Sequence, residues 1–171
     1  MKKILFMIFF IITSTLIYSN ENIVIERSSF VLELSVDENS YYTFTIPQSP
    51  YILDDFSVQI FPGETLFIEV DVVDDIVEKL TVVKEIINKN KTIIIEFNQI
   101  TNKENARIHE LMMLKIINPF KENLEYKADI YLTQYHRWVY TSTIPVRAGL
   151  TSYESWPDII LTIVLYDFVL K

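Results

Sequence analysis

The sequence predicts an all-β fold: an antiparallel β-sandwich, immunoglobulin-like only in loose architecture, with about nine strands. Three observations carry that expectation. Stretches of alternating apolar and polar residues recur along the chain, at the period of half-buried strands. Other stretches are apolar on both faces and rich in β-branched and aromatic residues, which favours strands inside a sheet over helices. Short turn-forming segments separate them, and no segment keeps helical periodicity between proper caps.

The first nineteen residues read as an address rather than as fold. Lys2 and Lys3 supply a positive start, Ile4 to Ile12 form an unbroken apolar run, and a more polar stretch ends at Ser19. That order is the pattern of a secretory signal peptide. Nine apolar residues fall well short of the roughly 20 that cross a bilayer as a helix. The expected organisation is therefore a signal peptide over 1–19, removed after Ser19, and one domain over 20–171 with no membrane anchor after cleavage. Ile17, three residues from the expected cut, departs from the small residue preferred there.

In the expected domain, 29–36 and 41–46 are strand candidates. "FPGE" (61–64) offers Pro then Gly for the middle of a type II turn. Leu66, Ile68, Val70 and Val72 then share one face of a strand over 66–73, with Glu69 and Asp71 on the other. Residues 79–87 give a further strand, and "TIIIEF" (92–97) and "LMMLKII" (111–117) have the character of central strands. Between those two, 101–109 has room for a single helical turn. "NPFKEN" (118–123) reads as a hairpin loop leading into 124–133, where Leu124, Tyr126, Ala128, Ile130 and Leu132 alternate with polar residues. A strand over 138–146, a turn at "RAGL" and the long apolar run 159–170 complete the set. A transmembrane barrel is the competing all-β solution. Only two glycines and strands apolar on both faces favour the sandwich instead.

Composition narrows the function. Without Lys2 and Lys3, 13 basic side chains stand against 23 acidic ones, a net charge of −10 for the expected domain. That charge opposes binding to nucleic acid or to anionic lipid, both of which need basic surface. Cysteine is absent, so neither a disulfide nor a thioether-linked lipid is available, and stability must come from a hydrophobic core. Frequent Ile, Asn and Lys beside a short signal point to a bacterial source.

Catalytic constellations are sparse. "HELMM" (109–113) lacks the second His that a zincin helix places four residues on, and no transition-metal site is expected. Two glycines build neither a phosphate loop nor a dinucleotide fingerprint, and no cofactor is expected. His136, Ser152, Ser155 and Asp158 are the residue types of a serine hydrolase, without a G-x-S-x-G elbow. The acid pairs Asp37-Glu38, Asp54-Asp55 and Asp74-Asp75 fit solvated turns better than calcium loops.

The remaining signal is aromatic. Tyr135, Trp138, Tyr140, Tyr153 and Trp156 lie within one short stretch, interleaved with His136, Arg137 and Arg147. "YESWPDI" (153–159) reads first as a structural clasp, with Trp156 closing one end of the core and Pro157 fixing the chain direction. The same aromatics suit a recognition surface, whose ligand-binding candidates are Tyr135, Trp138, Tyr153 and Trp156. The resulting expectation is an exported, non-catalytic sandwich of the bacterial envelope, periplasmic or extracellular. It would act through contacts with another protein, or with itself through an edge strand. A carbohydrate-binding module using the aromatics of 135–156 is the first alternative. A small hydrolase with His136 as base is the second.

Overall fold

A computed structural model of the chain describes residues 25–54, 56–73 and 76–171. The expected signal segment, 1–19, lies outside the described residues. Among those residues there is no helix, and so none long and apolar enough to cross a membrane. The described residues form fourteen strands where the sequence predicted about nine. They are β1 (Glu26–Arg27), β2 (Phe30–Asp37), β3 (Ser40–Ile46), β4 (Ser49–Pro50), β5 (Ile52–Asp54), β6 (Ser57–Ile60) and β7 (Glu64–Val73), followed by β8 (Ile76–Val83) and β9 (Thr92–Thr101). The chain continues through β10 (His109–Ile117), β11 (Leu124–Leu132), β12 (Arg137–Thr141), β13 (Thr151–Trp156) and β14 (Ile160–Leu170).

The unforeseen strands are short or carry polar residues on their inward face. β1, β4, β5 and β6 run two to four residues, too few to display a period. β13 turns Ser152, Glu154 and Trp156 inward, so its alternation carries no apolar signature. Two expected strands end sooner than their apolar runs: 79–87 stops at Val83, and 138–146 stops at Thr141. Residues 101–109 make a turn without helix, in which Asn102 Oδ1 accepts from the backbone N–H of Glu104 and Asn105.

Two antiparallel five-stranded sheets form the sandwich. One has the order β13-β10-β9-β7-β8, and the other β12-β11-β14-β6-β5. β9 and β14, read as central strands, sit in the middle of their sheets. Between the sheets pack Leu66, Ile68, Ile93, Ile95, Phe97, Met112 and Leu114 from one side. Val58, Ile60, Ala128, Ile130, Ile163 and Leu165 meet them from the other. Apolar side chains thus fill the interior, which distinguishes the fold from a barrel around an aqueous lumen.

Two loops direct the chain between layers. In "FPGE", Glu64 N–H donates to the Phe61 carbonyl (3.1 Å) and Gly63 takes φ 89°, so the expected turn carries the chain from β6 into the opposite sheet. "NPFKEN" is not the expected hairpin loop, because β10 and β11 lie in different sheets. The buried Asn118 amide organises that crossover, donating to the carbonyls of Glu122 (2.8 Å) and Val146 (2.9 Å).

The β2–β3 hairpin lies apart from both sheets and has its own small core. Leu32, Leu34 and Ile46 pack with Phe61, flanked by Phe30, Tyr42, Phe44, Ile159 and Leu161. A polar chain fixes its other side. Gln99 accepts from Ser35 N–H and donates to Ser35 C=O, both at 2.8 Å, and contacts His109 Nδ1 at 2.9 Å. His109 Nε2 in turn meets the Pro157 carbonyl at 3.0 Å.

Candidate binding groove

Arg27 builds the ground beneath the hairpin. It is 2 % exposed, yet all five of its N–H groups have acceptors. Nε and Nη2 bind both oxygens of Glu64 (2.9 and 3.1 Å), Nη1 reaches Ser49 Oγ and the Pro50 carbonyl (3.1 Å each), and Nη2 also reaches the Gln59 carbonyl (2.8 Å). Its guanidinium lies over the rings of Tyr51 and Phe61, at 4.5 and 4.8 Å from their centres. Such a planar fork joins β1, β4, β6 and β7 at one point, which an ammonium on a flexible stem would not do.

Above this junction runs a groove of about 520 Å³. Phe44, Ile46 and Pro47 line it on the hairpin side, Phe61 and Leu161 lie between, and Tyr131, His136 and Trp138 line the side of β11 and β12. Its volume falls in the range of pockets that hold a small ligand or an anchoring side chain. Ser49, Gln59, Thr133 and Thr162 are its other polar residues, and none of its lining residues is Asp, Glu, Lys or Arg.

Local sequence explains this shape. At Leu161 a bulge interrupts the pairing of β14 with β11: Tyr131 faces Thr162 while Leu132 faces Ile160. The extra residue breaks the alternation, so Leu161 and Thr162 both line the groove. The turn Thr133–His136 joins β11 to β12, and His136 there adopts φ 49°, the left-handed region that a side chain seldom enters. Tyr131 and Trp138, paired across the two strands, meet edge to face at 5.4 Å.

One atom stands out. The Thr133 hydroxyl is buried and, among the described residues, has no hydrogen-bond partner, although the Thr133 N–H donates to the Ile159 carbonyl at 3.0 Å. Thr133 is 1 % exposed and forms part of the groove lining. An unmet buried hydroxyl costs about 1–3 kcal/mol, a cost that a hydrogen-bonding ligand would remove. The neighbouring Thr162 hydroxyl is already committed to the Ile60 carbonyl (2.9 Å).

No known protein family, curated protein or solved structure gives a significant match to this chain.

The four ligand-binding candidates read from the sequence do not share one surface. Trp138, 48 % exposed, lies on the outer face of its sheet and lines the groove. Tyr135 is in the adjoining turn, with the Arg137 guanidinium 5.5 Å from its ring centre. Tyr153 is exposed on the outward face of β13, in the other sheet. Trp156 turns inward against the main core, and its Nε1 donates to Thr141 Oγ1 at 3.0 Å. "YESWPDI" thus begins as the end of an edge strand, and its indole ties the two sheets together. Glu154 does the same, accepting from the Tyr126 hydroxyl (2.7 Å) and the Ile144 N–H (2.9 Å).

The other sequence candidates are also located. His136 has no hydrogen bond among the described residues to Ser152, Ser155 or Asp158, and both serines lie on β13 in the opposite sheet. Asp37 accepts from Asn39 N–H, and Asp54 from Phe56 N–H and the Ser57 hydroxyl, all at 2.9 Å. The backbone bonds are the chief reason both carboxyls are held below the ordinary aspartate value. Asp55, Asp74 and Asp75 are outside the described residues. Sequence reasoning did not single out Phe44, Gln59, Phe61, Tyr131, Thr133 or Leu161 as site residues. Thr133 stood at the end of the strand expected over 124–133, and nothing there pointed across the chain to Phe44 or Phe61.

Proposed function

We propose that this chain is an exported, non-catalytic binding protein of a bacterial envelope, periplasmic or extracellular. It works through contacts with another protein, and the groove between β3 and β12 is the contact surface. The observation that carries this reading is the buried Thr133 hydroxyl, left without a partner among the described residues in the wall of a mostly aromatic and apolar groove. Aromatic walls with few polar groups favour an anchoring side chain of a partner, since Trp and Tyr concentrate binding energy in such pockets. The immunoglobulin-like relationship is proposed in the same loose sense, as two packed antiparallel sheets.

Photo-crosslinking in the native host tests the reading. A photoreactive amino acid in place of Trp138 should give a discrete adduct with another protein, and one in place of Tyr153 should not. Equal labelling from both positions, or none from position 138, would overturn it. A second reading, a carbohydrate-binding module, is favoured by Trp138 and Tyr140, which are exposed two residues apart on β12. Saturable change of Trp138 fluorescence on adding soluble glycans, in a Trp156→Phe background, would establish that alternative.

A further inference from the structure

The two sides of β3 differ. On one side Ser40–Ile46 pairs with β2; on the other, among the described residues, no backbone hydrogen bond reaches it. A free edge presents N–H and C=O groups to any further strand. Phe44 and Ile46, two residues apart on β3, line the groove together with Pro47. No residue of β2 lines the groove, so it lies along the β3 side of the hairpin, where the edge is unpaired.

Charge restricts the occupant. The groove has no carboxylate, ammonium or guanidinium in its lining, although the chain carries a net charge of −8. A charged guest would lose hydration there without gaining a counter-charge, whereas a neutral apolar guest matches its walls. The Thr133 hydroxyl asks for one hydrogen-bonding group, which a peptide N–H or C=O provides.

We infer that the groove takes an extended, uncharged, apolar stretch of another polypeptide by strand addition to β3. The guest backbone pairs with the free edge of Ser40–Ile46. Its alternate side chains enter between Phe44 and Trp138, because successive side chains of a strand point to opposite faces. One of its peptide groups meets Thr133. The inference rests on the protein-contact reading above and adds the mode and the class of partner.

Linear peptides selected on the full chain from a random phage-displayed library provide the probe. Selected peptides should carry apolar residues two apart. Thr133→Val and Trp138→Ala should each weaken them by tenfold or more, while Tyr153→Ala leaves affinity unchanged. Thermal melts of the variants would separate lost binding from lost folding. N-methylation of single peptide amides should abolish binding at alternate positions and be tolerated between them. Peptides that depend on Thr133 and Trp138 yet tolerate N-methylation everywhere would overturn strand addition and leave the protein-contact reading standing. Selection of no peptide, or of peptides indifferent to both groove substitutions, would overturn the two together. So would saturable binding of a soluble glycan in the groove without any peptide binding.

Discussion

Among the described residues Arg27 is the only buried charged side chain, and its surroundings decide what losing it would cost. Removing the guanidinium leaves the Glu64 carboxylate, itself only 15 % exposed, facing the Phe61 N–H alone (2.8 Å). A broken buried pair costs roughly 3–5 kcal/mol, so Arg27→Ala should lower the unfolding free energy by about that amount in urea titrations. Arg27→Lys should recover little, because one ammonium cannot meet five acceptors on β4, β6 and β7. A loss under 1 kcal/mol for Arg27→Ala would show that the junction is not part of the cooperative fold. Thr133 presents the opposite case. Val has nearly its shape and no hydroxyl to leave unmet, so Thr133→Val should stabilise the ligand-free protein by about 1 kcal/mol. A destabilisation would mean that the hydroxyl has a partner in solution. Neither residue was legible as special. "IERSSF" says nothing of acceptors dozens of positions away, and a Thr at a strand end is ordinary until its surroundings are known.

Elements were legible in proportion to their length and to the apolarity of their inward face. β7, β9, β10, β11 and β14 each run nine residues or more, and all were anticipated as strands. β13 was hidden because the interior accepts a carboxylate there, bound to the Tyr126 hydroxyl. The position of "NPFKEN" between two strands was visible, but not that it joins different sheets, since hairpins and crossovers use the same turn residues. β14 carries a second irregularity. Opposite Glu125 and Lys127 the pairing skips a residue, and Asp167 there takes φ 52°. Asp tolerates the left-handed region better than most residues, whereas a β-branched side chain does not. Asp167→Val should therefore cost roughly 1–2 kcal/mol, while Asp167→Gly should hold or gain stability despite losing the exposed contact to Lys127 (2.8 Å). Thermal unfolding of the two variants separates them. Equal losses would place the cost in the ion pair rather than in the backbone.

For the whole molecule, the sandwich was foreseeable from periodicity, but the groove was not. Its walls come from β3, the segment after β6, β11 and β12 with the turn between them, and the start of β14; of its residues only Trp138 had been marked as a ligand-binding candidate, and His136 as a hydrolase base. What couples the two sheets at their shared margin is more polar than the core. The Tyr126 hydroxyl on β11 binds Glu154 on β13, and the Trp156 indole on β13 binds Thr141 on β12. Burial, then the hydrogen bond and negative charge of Glu154, push the Tyr126 phenol far above its ordinary value of 10.0. The folded protein therefore keeps a proton that the unfolded chain releases once the pH passes about 10. Below that pH this contribution to stability is fully present; above it, stability falls by up to about 1.4 kcal/mol per pH unit for each such proton, until the folded value is reached. Tyr51 and Tyr166 are shifted in the same direction, as are the ion-paired Lys91, Lys115 and Lys127, so all steepen the decline with the same sign. Tyr126→Phe isolates one proton from that sum. Near pH 8 the variant should be less stable, because Glu154 loses a donor and keeps only the Ile144 N–H. Between pH 10 and 11.5 its urea midpoint should fall less steeply than that of the unaltered protein, so the two stability curves converge. Parallel curves would mean that the phenol ionises as freely in the fold as in water, and that the sheets part at this margin before the rest of the sandwich unfolds.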